Sequence, residues 1–537
     1  MQSVLIGRGI SGDIRPARLH CHCEFRSIKP GKARDDSTAG GYRRHLCVEA
    51  RKMAPLANMQ TVYRHAVRAR STATRYTAAH NSGVTAPSSS KELCMSDNQA
   101  DLIVHARWIA PVAPQEAVLE NHAVVVKDGR IADLLPSALA NVKWQSEEQQ
   151  HLGDHLLIPG LVNAHTHAAM NLLRGIADDL PLMTWLEKHI WPAEGRFVSE
   201  TFVYDGTRLA AAEMIRSGTT CFADMYFFPA NAARATVEAG LRASLFCPLL
   251  DFPTPMGSGP EEYLRLATDA MDEWQHEPRI QIGFGPHAPY TVSDGPLQKV
   301  LTLAEELDVP IMMHVHETAG EIQMEVRNTG ERPLTRLHNL GLLSPRLLAV
   351  HMTQLTDEEI ALVAQTGTHV VHCPESNLKL ASGFAPVEKL RKANINVALG
   401  TDGAASNNDL DMLGEARTAA FLTKGVSLQA DAQPAMETLK MATLNGAKAL
   451  GRDNEIGSLE MGKQADMVAV DLNRLETQPV YDPVAQLIYA ATRDQITHTW
   501  VGGRCLMDNR QLTTLNEALI LKNAKQWQEK IAGADRD

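Results

Sequence analysis

Short apolar runs bounded by polar residues occur near both ends of the main part of the chain, at residues 101–105 and 123–127 and again at 465–471 and 496–501. Their length and β-branched content predict strands. Asp128-Gly129 and Gly502-Gly503 suit two-residue hairpin turns. Two distant β-rich segments around one large middle predict a small β-sandwich domain built from both flanks. The middle alternates β-branched runs with stretches of helical periodicity. The runs fall at 156–162, 219–223, 243–250, 280–284, 310–315, 347–350, 369–372 and 396–399, with amphipathic segments such as 297–307 and 358–365 between them. Eight strand-helix units predict a (β/α)8 TIM barrel, an α/β fold whose active site lies at the carboxyl ends of its strands. An open doubly wound sheet is disfavoured, because no G-x-G-x-x-G follows the first run. The expected division is 95–155 and 456–508 for the small domain, 156–455 for the barrel and 509–537 for a C-terminal helical segment.

Composition narrows the class. Among 537 residues, 44% are hydrophobic and 21% charged, ordinary globular usage that argues against wholesale disorder or a coiled coil. No apolar run reaches the roughly 18 to 20 residues that span a bilayer, so no membrane partner is expected. Eight cysteines without a C-x-x-C pair do not make a disulfide scaffold, which points to a reducing, cytoplasmic setting. The net charge of -11 hides a division: residues 1–94 carry 16 basic against 6 acidic side chains, and the remainder 36 against 57. Between Arg51 and Ser90 there is no acidic residue, the composition of an organelle-targeting segment. That stretch lacks sustained periodicity and is followed by Met95-Ser96-Asp97-Asn98, which reads as an ordinary start, so residues 1–94 are expected to be an extension outside the working fold. Sparse aromatics there and an acidic body argue against a nucleic-acid partner.

The chemistry begins at the first barrel strand. His165 and His167 are two residues apart, so a strand directs both to one face, where they can share a divalent metal. One such pair is a weak signal. It recurs in kind at the ends of later strands, with His314, His316 and Glu317 after the fifth, His351 after the sixth and Asp402 after the eighth. Histidine and carboxylate oxygen suit Zn2+ or a related first-row metal, and three His with one Asp leave a position for water. Spacing alone leaves His314 and His316 as alternatives.

Residues 159–167, Pro-Gly-Leu-Val-Asn-Ala-His-Thr-His, and 400–408, Gly-Thr-Asp-Gly-Ala-Ala-Ser-Asn-Asn, resemble the metal-dependent amidohydrolase superfamily, and within it the branch that deaminates 5'-methylthioadenosine and S-adenosylhomocysteine. The resemblance covers roughly residues 97–508. It implies metal ligation by His165, His167, His314 and Asp402, choosing His314 over His316 because a catalytic Glu follows it by three residues. It implies one metal, since the fourth strand lacks the terminal Lys that bridges two, with Zn2+ first and Fe2+, Mn2+ or Ni2+ as alternatives. The catalytic set it implies is Asp402 taking a proton from the attacking water and passing it to the amine, Glu317 protonating N1 of the purine, and His351 orienting the water. Glu194 is assigned to the ribose hydroxyls and His287 to the nucleoside.

Trp185 and Phe227-Phe228 offer an apolar wall for the methylthio group, although the same spacing suits core packing. The Glu375-Ser376-Asn377 turn and the loop at 378–384 are placed to close over a ligand, and Arg174-Gly175 to fix loop geometry. The expected partner is a small purine nucleoside, with homo-oligomerisation left open. The rival reading is a deaminase or chlorohydrolase of the same superfamily acting on guanine, a pyrimidine or an s-triazine, for which Glu194 and His287 would have no ribose to hold. The H-x-E with P-C-x-x-C signature of another zinc deaminase class is incomplete here.

Overall fold

A computed structural model describes residues 98–534. The basic segment at 1–94 therefore lies outside the described residues. Four strands come first: β1 (Leu102–Ile109), β2 (Leu119–Lys127), β3 (Arg130–Pro136) and β4 (Glu148–Pro159). Eight more follow through the middle: β5 (Leu161–Thr166), β6 (Thr219–Met225), β7 (Arg242–Leu249), β8 (Ile280–Pro286), β9 (Ile311–Val315), β10 (Leu347–His351), β11 (His369–His372) and β12 (Val397–Leu399). The last four are β13 (Met467–Asp471), β14 (Ile496–Val501), β15 (Arg504–Asp508) and β16 (Gln511–Leu512).

The two ends of the chain share one mixed sheet in the order β16-β15-β14-β13-β4-β1-β2-β3. β1 runs parallel to β4, and β13 runs antiparallel to β4, which joins the N-terminal half to the C-terminal half. Asp128 and Gly129 both take left-handed φ, 52° and 73°, as the tight turn between β2 and β3 demands. Val104, Val126, Leu157, Met467 and Trp500 from both halves form one apolar cluster.

Strands β5 to β12 are parallel and ordered sequentially. The first and last meet at the rim, where the Asp402 N–H donates to the His165 carbonyl at 3.0 Å. Val162, Ala223, Phe246, Met312, Leu348, Val371 and Ala398, from seven of the eight strands, pack on one another and fill the interior. The amphipathic segments are helices, Asp294–Leu307 and Asp357–Thr366, the latter opened by a capping box between Thr356 and Glu359. The C-terminal segment contains the helix Glu517–Ala534, whose Trp527 stacks edge-on against Phe202 at 5.2 Å. Among the described residues no helix is long and apolar enough to cross a membrane.

One expected element is corrected. The run at 156–162 is not a single barrel strand: β4 ends the small sheet at Pro159 and β5 opens the barrel at Leu161. Gly160 lies between them, and a Cβ there would stand 2.0 Å from Thr220 Oγ1, so only glycine lets the chain pass so close to β6. At this junction Arg242, at the start of β7, pairs with Asp466, just before β13, at 2.8 Å with both side chains buried.

Candidate active site

The carboxyl ends of the barrel strands surround a cavity of about 210 Å3. His165 and His167 leave β5, His314 leaves β9, His351 closes β10, and Asp402 follows β12. His165 Nε2 lies 3.2 Å from His314 Nε2 and 3.5 Å from Asp402 Oδ1, and His167 Nε2 lies 3.3 Å from the same oxygen. Two overlapping donor sets result, His165 with His167 and Asp402, and His165 with His314 and His351; within each set all donor atoms lie within 4.8 Å of one another.

The surroundings fix which nitrogen faces the centre. His167 Nδ1 donates to the Met225 carbonyl at 2.6 Å, and His314 Nδ1 to the His287 carbonyl at 2.7 Å. A carbonyl can only accept, so each Nδ1 carries the hydrogen and each Nε2 keeps its lone pair for the centre. Burial pushes His165 down to about 4 and holds His167 and His314 below the usual histidine range, which leaves neutral imidazoles at neutral pH. Burial opposes ionisation of Asp402, but the His165 contact and the neighbouring His167 hold its carboxyl well below the usual range. Neutral imidazole nitrogens converging with an ionised carboxylate are a donor set that fits a divalent first-row cation.

His316 takes another course. The chain turns there with φ 54°, and its Nε2 accepts the Leu334 N–H at 3.2 Å, away from the cluster. His351 and Asp402 also adopt left-handed φ, 76° and 61°. Such backbone is costly for side chains with a Cβ and persists where the surrounding structure over-determines it.

Glu317 is buried beside this cluster. Its Oε1 accepts from Ser382 Oγ at 3.1 Å, and its Oε2 lies 3.8 Å from His351 Nε2. Burial raises its carboxyl above the usual range and so favours the protonated form. The Glu321 carboxylate accepts the N–H groups of His316 and Glu317 at 3.0 and 2.7 Å and anchors the segment that carries Glu317.

Glu194 and Trp185 arrive on one helical stretch, Leu182–Trp185, a widened π turn at Leu186–Ile190, and Trp191–Phe197. The Trp191 N–H reaches back five residues to the Leu186 carbonyl, and Pro192, which has no N–H to donate, follows at once. The extra residue in the turn brings Trp185, Leu186, Ile190, Trp191 and Glu194 all to the cavity wall. Glu194 Oε1 accepts from Tyr226 Oη at 2.8 Å, and burial pushes its carboxyl up to about 7. His287 also lines the cavity, its Nδ1 3.1 Å from Thr291 Oγ1 and its ring 5.0 Å from that of His314.

His165, His167, Trp185, Glu194, Phe227, His287, His314, Glu317, His351 and Asp402 thus border this cavity or its donor cluster, whereas His316 turns away and Phe228 is not part of the cavity wall. Several others that the sequence did not single out for these roles join them. Ser376 Oγ donates to Asp402 Oδ2 at 2.6 Å, and Asn377 Oδ1 accepts from His351 Nδ1 at 2.9 Å. The Glu375-Ser376-Asn377 turn is instead part of the helix Pro374–Lys379, with Ser376 and Asn377 buried against Asp402 and His351, while Leu380 of the following loop lines the cavity. Arg174 pairs with Glu213. The signal for Tyr226 was its position directly after β6, where barrel folds place functional groups.

A parallel barrel carrying imidazoles and a carboxylate at its rim defines a class of metal-dependent hydrolases. The chain belongs to the amidohydrolase family, whose sequence pattern matches residues 156–506. Among its similar relatives are proteins named 5-methylthioadenosine/S-adenosylhomocysteine deaminase. The one from Saccharophagus degradans is 52% identical over 80% of this chain and 97% of its own length. That from Teredinibacter turnerae is 48% identical over 81% and 98%. A solved structure described as an adenosine deaminase from Xanthomonas campestris with bound zinc superposes with a TM-score of 0.80 at 50% identity, covering 81% of this chain and 99% of that one.

Proposed function

We propose that this chain hydrolyses the 6-amino group from adenosine-type thioethers. Water supplies the oxygen that replaces the amine at C6, converting 5'-methylthioadenosine to 5'-methylthioinosine and S-adenosylhomocysteine to S-inosylhomocysteine, with one ammonia released; adenosine is a side substrate. The observation that carries this reading is the meeting, in one cavity, of the His/Asp donor cluster, the buried Glu317 and the half-buried Glu194 held by Tyr226. The names of the relatives agree with it.

One divalent cation fits His165, His167, His314 and Asp402, with Zn2+ proposed and Fe2+, Mn2+ or Ni2+ chemically admissible. When bound, it supplies the Lewis acidity that makes a water nucleophilic near neutral pH. Asp402, its Oδ2 held by Ser376 and its Oδ1 by the Gly403 N–H at 2.8 Å, takes the water's proton and later delivers it to the leaving amine. Glu317, whose burial favours the protonated form, donates to N1 so that negative charge does not build in the ring. His351, oriented by Asn377, steers the water toward C6. Glu194 accepts from the ribose hydroxyls, His287 contacts the nucleoside, and Trp185 contributes to the wall facing the thio substituent. The four cysteines among the described residues are free thiols, which fits the proposed cytoplasmic setting.

Ammonia release from 5'-methylthioadenosine, adenosine, guanine and an s-triazine, measured on Zn2+-loaded protein, tests the reading. Turnover of the nucleosides above the free base and the triazine supports it; preference for guanine or the triazine rejects it.

A further inference from the structure

The cavity is unusual in its charges. Among the described residues that line it there is no Lys or Arg, and its ionisable groups are the carboxyls of Glu194, Glu317 and Asp402, the imidazoles of His167, His287, His314 and His351, and the phenols of Tyr226 and Tyr290. Two basic side chains of neighbouring loops pair away from it: Arg174 with Glu213, and Lys379 with Asp178 at 2.7 Å and with Asn408.

The rest of the wall is mainly apolar, with Thr254 and Ser406 as its other polar side chains. Trp185, Ile190 and Trp191 come from the helical stretch, and Leu250, Phe252 and Pro253 from the loop after β7. The two sides approach each other, with the rings of Trp191 and Phe252 6.4 Å apart. The loop is anchored from behind, where Tyr263 Oη makes 2.9 Å contacts with the Phe252 carbonyl, Thr254 Oγ1 and the Gly257 carbonyl. This wall is a poor candidate for rearranging around a charged guest.

Resting on the nucleoside-deaminase reading, we propose that the cavity ranks its substrates by the charge of the 5' substituent, selecting neutral alkylthio nucleosides over the zwitterionic S-adenosylhomocysteine. A methylthio group gains by leaving water for an apolar wall. The homocysteine tail carries an ammonium and a carboxylate. An acidic side chain can receive the ammonium, but the carboxylate then meets no Lys or Arg in the cavity wall and loses hydration without a paired charge there. A pocket that hydrogen-bonds its ligand poorly discriminates against it in kcat/KM.

The test compares kcat/KM of the metal-loaded full chain for 5'-methylthioadenosine, S-adenosylhomocysteine and 5'-deoxy-5'-(butylthio)adenosine, an uncharged compound with a tail of similar length. The expected result is a loss of about 100-fold for S-adenosylhomocysteine, with the butylthio compound within about tenfold of the methylthio one. Equal values for the methylthio and homocysteine compounds overturn the proposal, and so does an equal loss for the butylthio compound, which would mean selection by length. Phe252→Arg, at a side chain already 41% exposed, should narrow the methylthio-to-homocysteine ratio at least fivefold; an unchanged ratio in folded variant counts against charge as the cause. If no nucleoside at all is deaminated, the underlying functional reading fails with it, whereas deamination without the ranking removes this inference alone.

Discussion

Replacing Glu317 by Gln removes one proton donor and little else. The side chain is 10% exposed, and Gln has the same shape, so its carbonyl oxygen can still accept the Ser382 hydroxyl now 3.1 Å from Oε1. Its amide can face His351 Nε2, 3.8 Å from the present Oε2, whose lone pair is free because Nδ1 donates to Asn377. Folding should therefore change by less than about 1.5 kcal/mol, as for other shape-conserving exchanges. The metal donors are other residues, so metal content should persist. What is lost is protonation of N1, a general-acid step worth about 10²- to 10⁴-fold, or about 3 to 5 kcal/mol of transition-state stabilisation at ~1.4 kcal/mol per tenfold. The assay is ammonia release from 5'-methylthioadenosine over a range of concentrations, with metal content measured by mass spectrometry on the same sample. A variant with full metal and kcat/KM within tenfold of the parent would refute the role given to Glu317.

Glu194 gives a pH dependence of definite sign. Burial raises its carboxyl from 4.5 to about 7, so the neutral form that burial favours is complete below pH 4.5 and is lost as pH rises through 7. Ribose hydroxyls require the ionised form, so the inhibition constant of 5'-methylthioinosine should worsen as pH falls below about 7. Glu194→Gln should flatten that limb, and an unchanged limb would contradict the assignment. Arg242→Ala strands Asp466 in the buried junction, where both partners are at most 5% exposed. A loss of about 3 to 5 kcal/mol of stability is expected, visible as a lower thermal midpoint, and an unshifted midpoint would show that the pair does not hold the two sheets together. Deleting residues 1–94 should leave kcat/KM for 5'-methylthioadenosine unchanged, whereas collapse or inactivity of the truncated chain would make that segment part of the working protein.

The parts of this site that were legible in the sequence are those that recur with spacing. His165 and His167 stand out because strands repeat every two residues, and the β-branched runs mark barrel strands because parallel strands are buried on both faces. The run at 156–162 misled for the same reason: it is apolar throughout because the small sheet and the barrel each bury their share, and the bend at Gly160 adds no polar residue to mark it. The two histidines of the fifth strand could not be separated by spacing. Their fates diverge at the left-handed backbone of His316, which a bulky side chain gives no hint of. Ser376, Ser382 and Tyr226 are single polar residues without periodicity. Their partners Asp402, Glu317 and Glu194 lie 26, 65 and 32 residues away and meet them only once the barrel has closed. Arg242 and Asp466, 224 residues apart, are of the same kind.

The most direct measurement is the titration of metal-free protein with Zn2+ while following both bound metal and ammonia release from 5'-methylthioadenosine. Activity should rise linearly and stop at one equivalent per chain, and His167→Ala should weaken both binding and turnover. Full turnover in rigorously metal-free protein, or a break at two equivalents, would contradict a single cation held by His165, His167, His314 and Asp402.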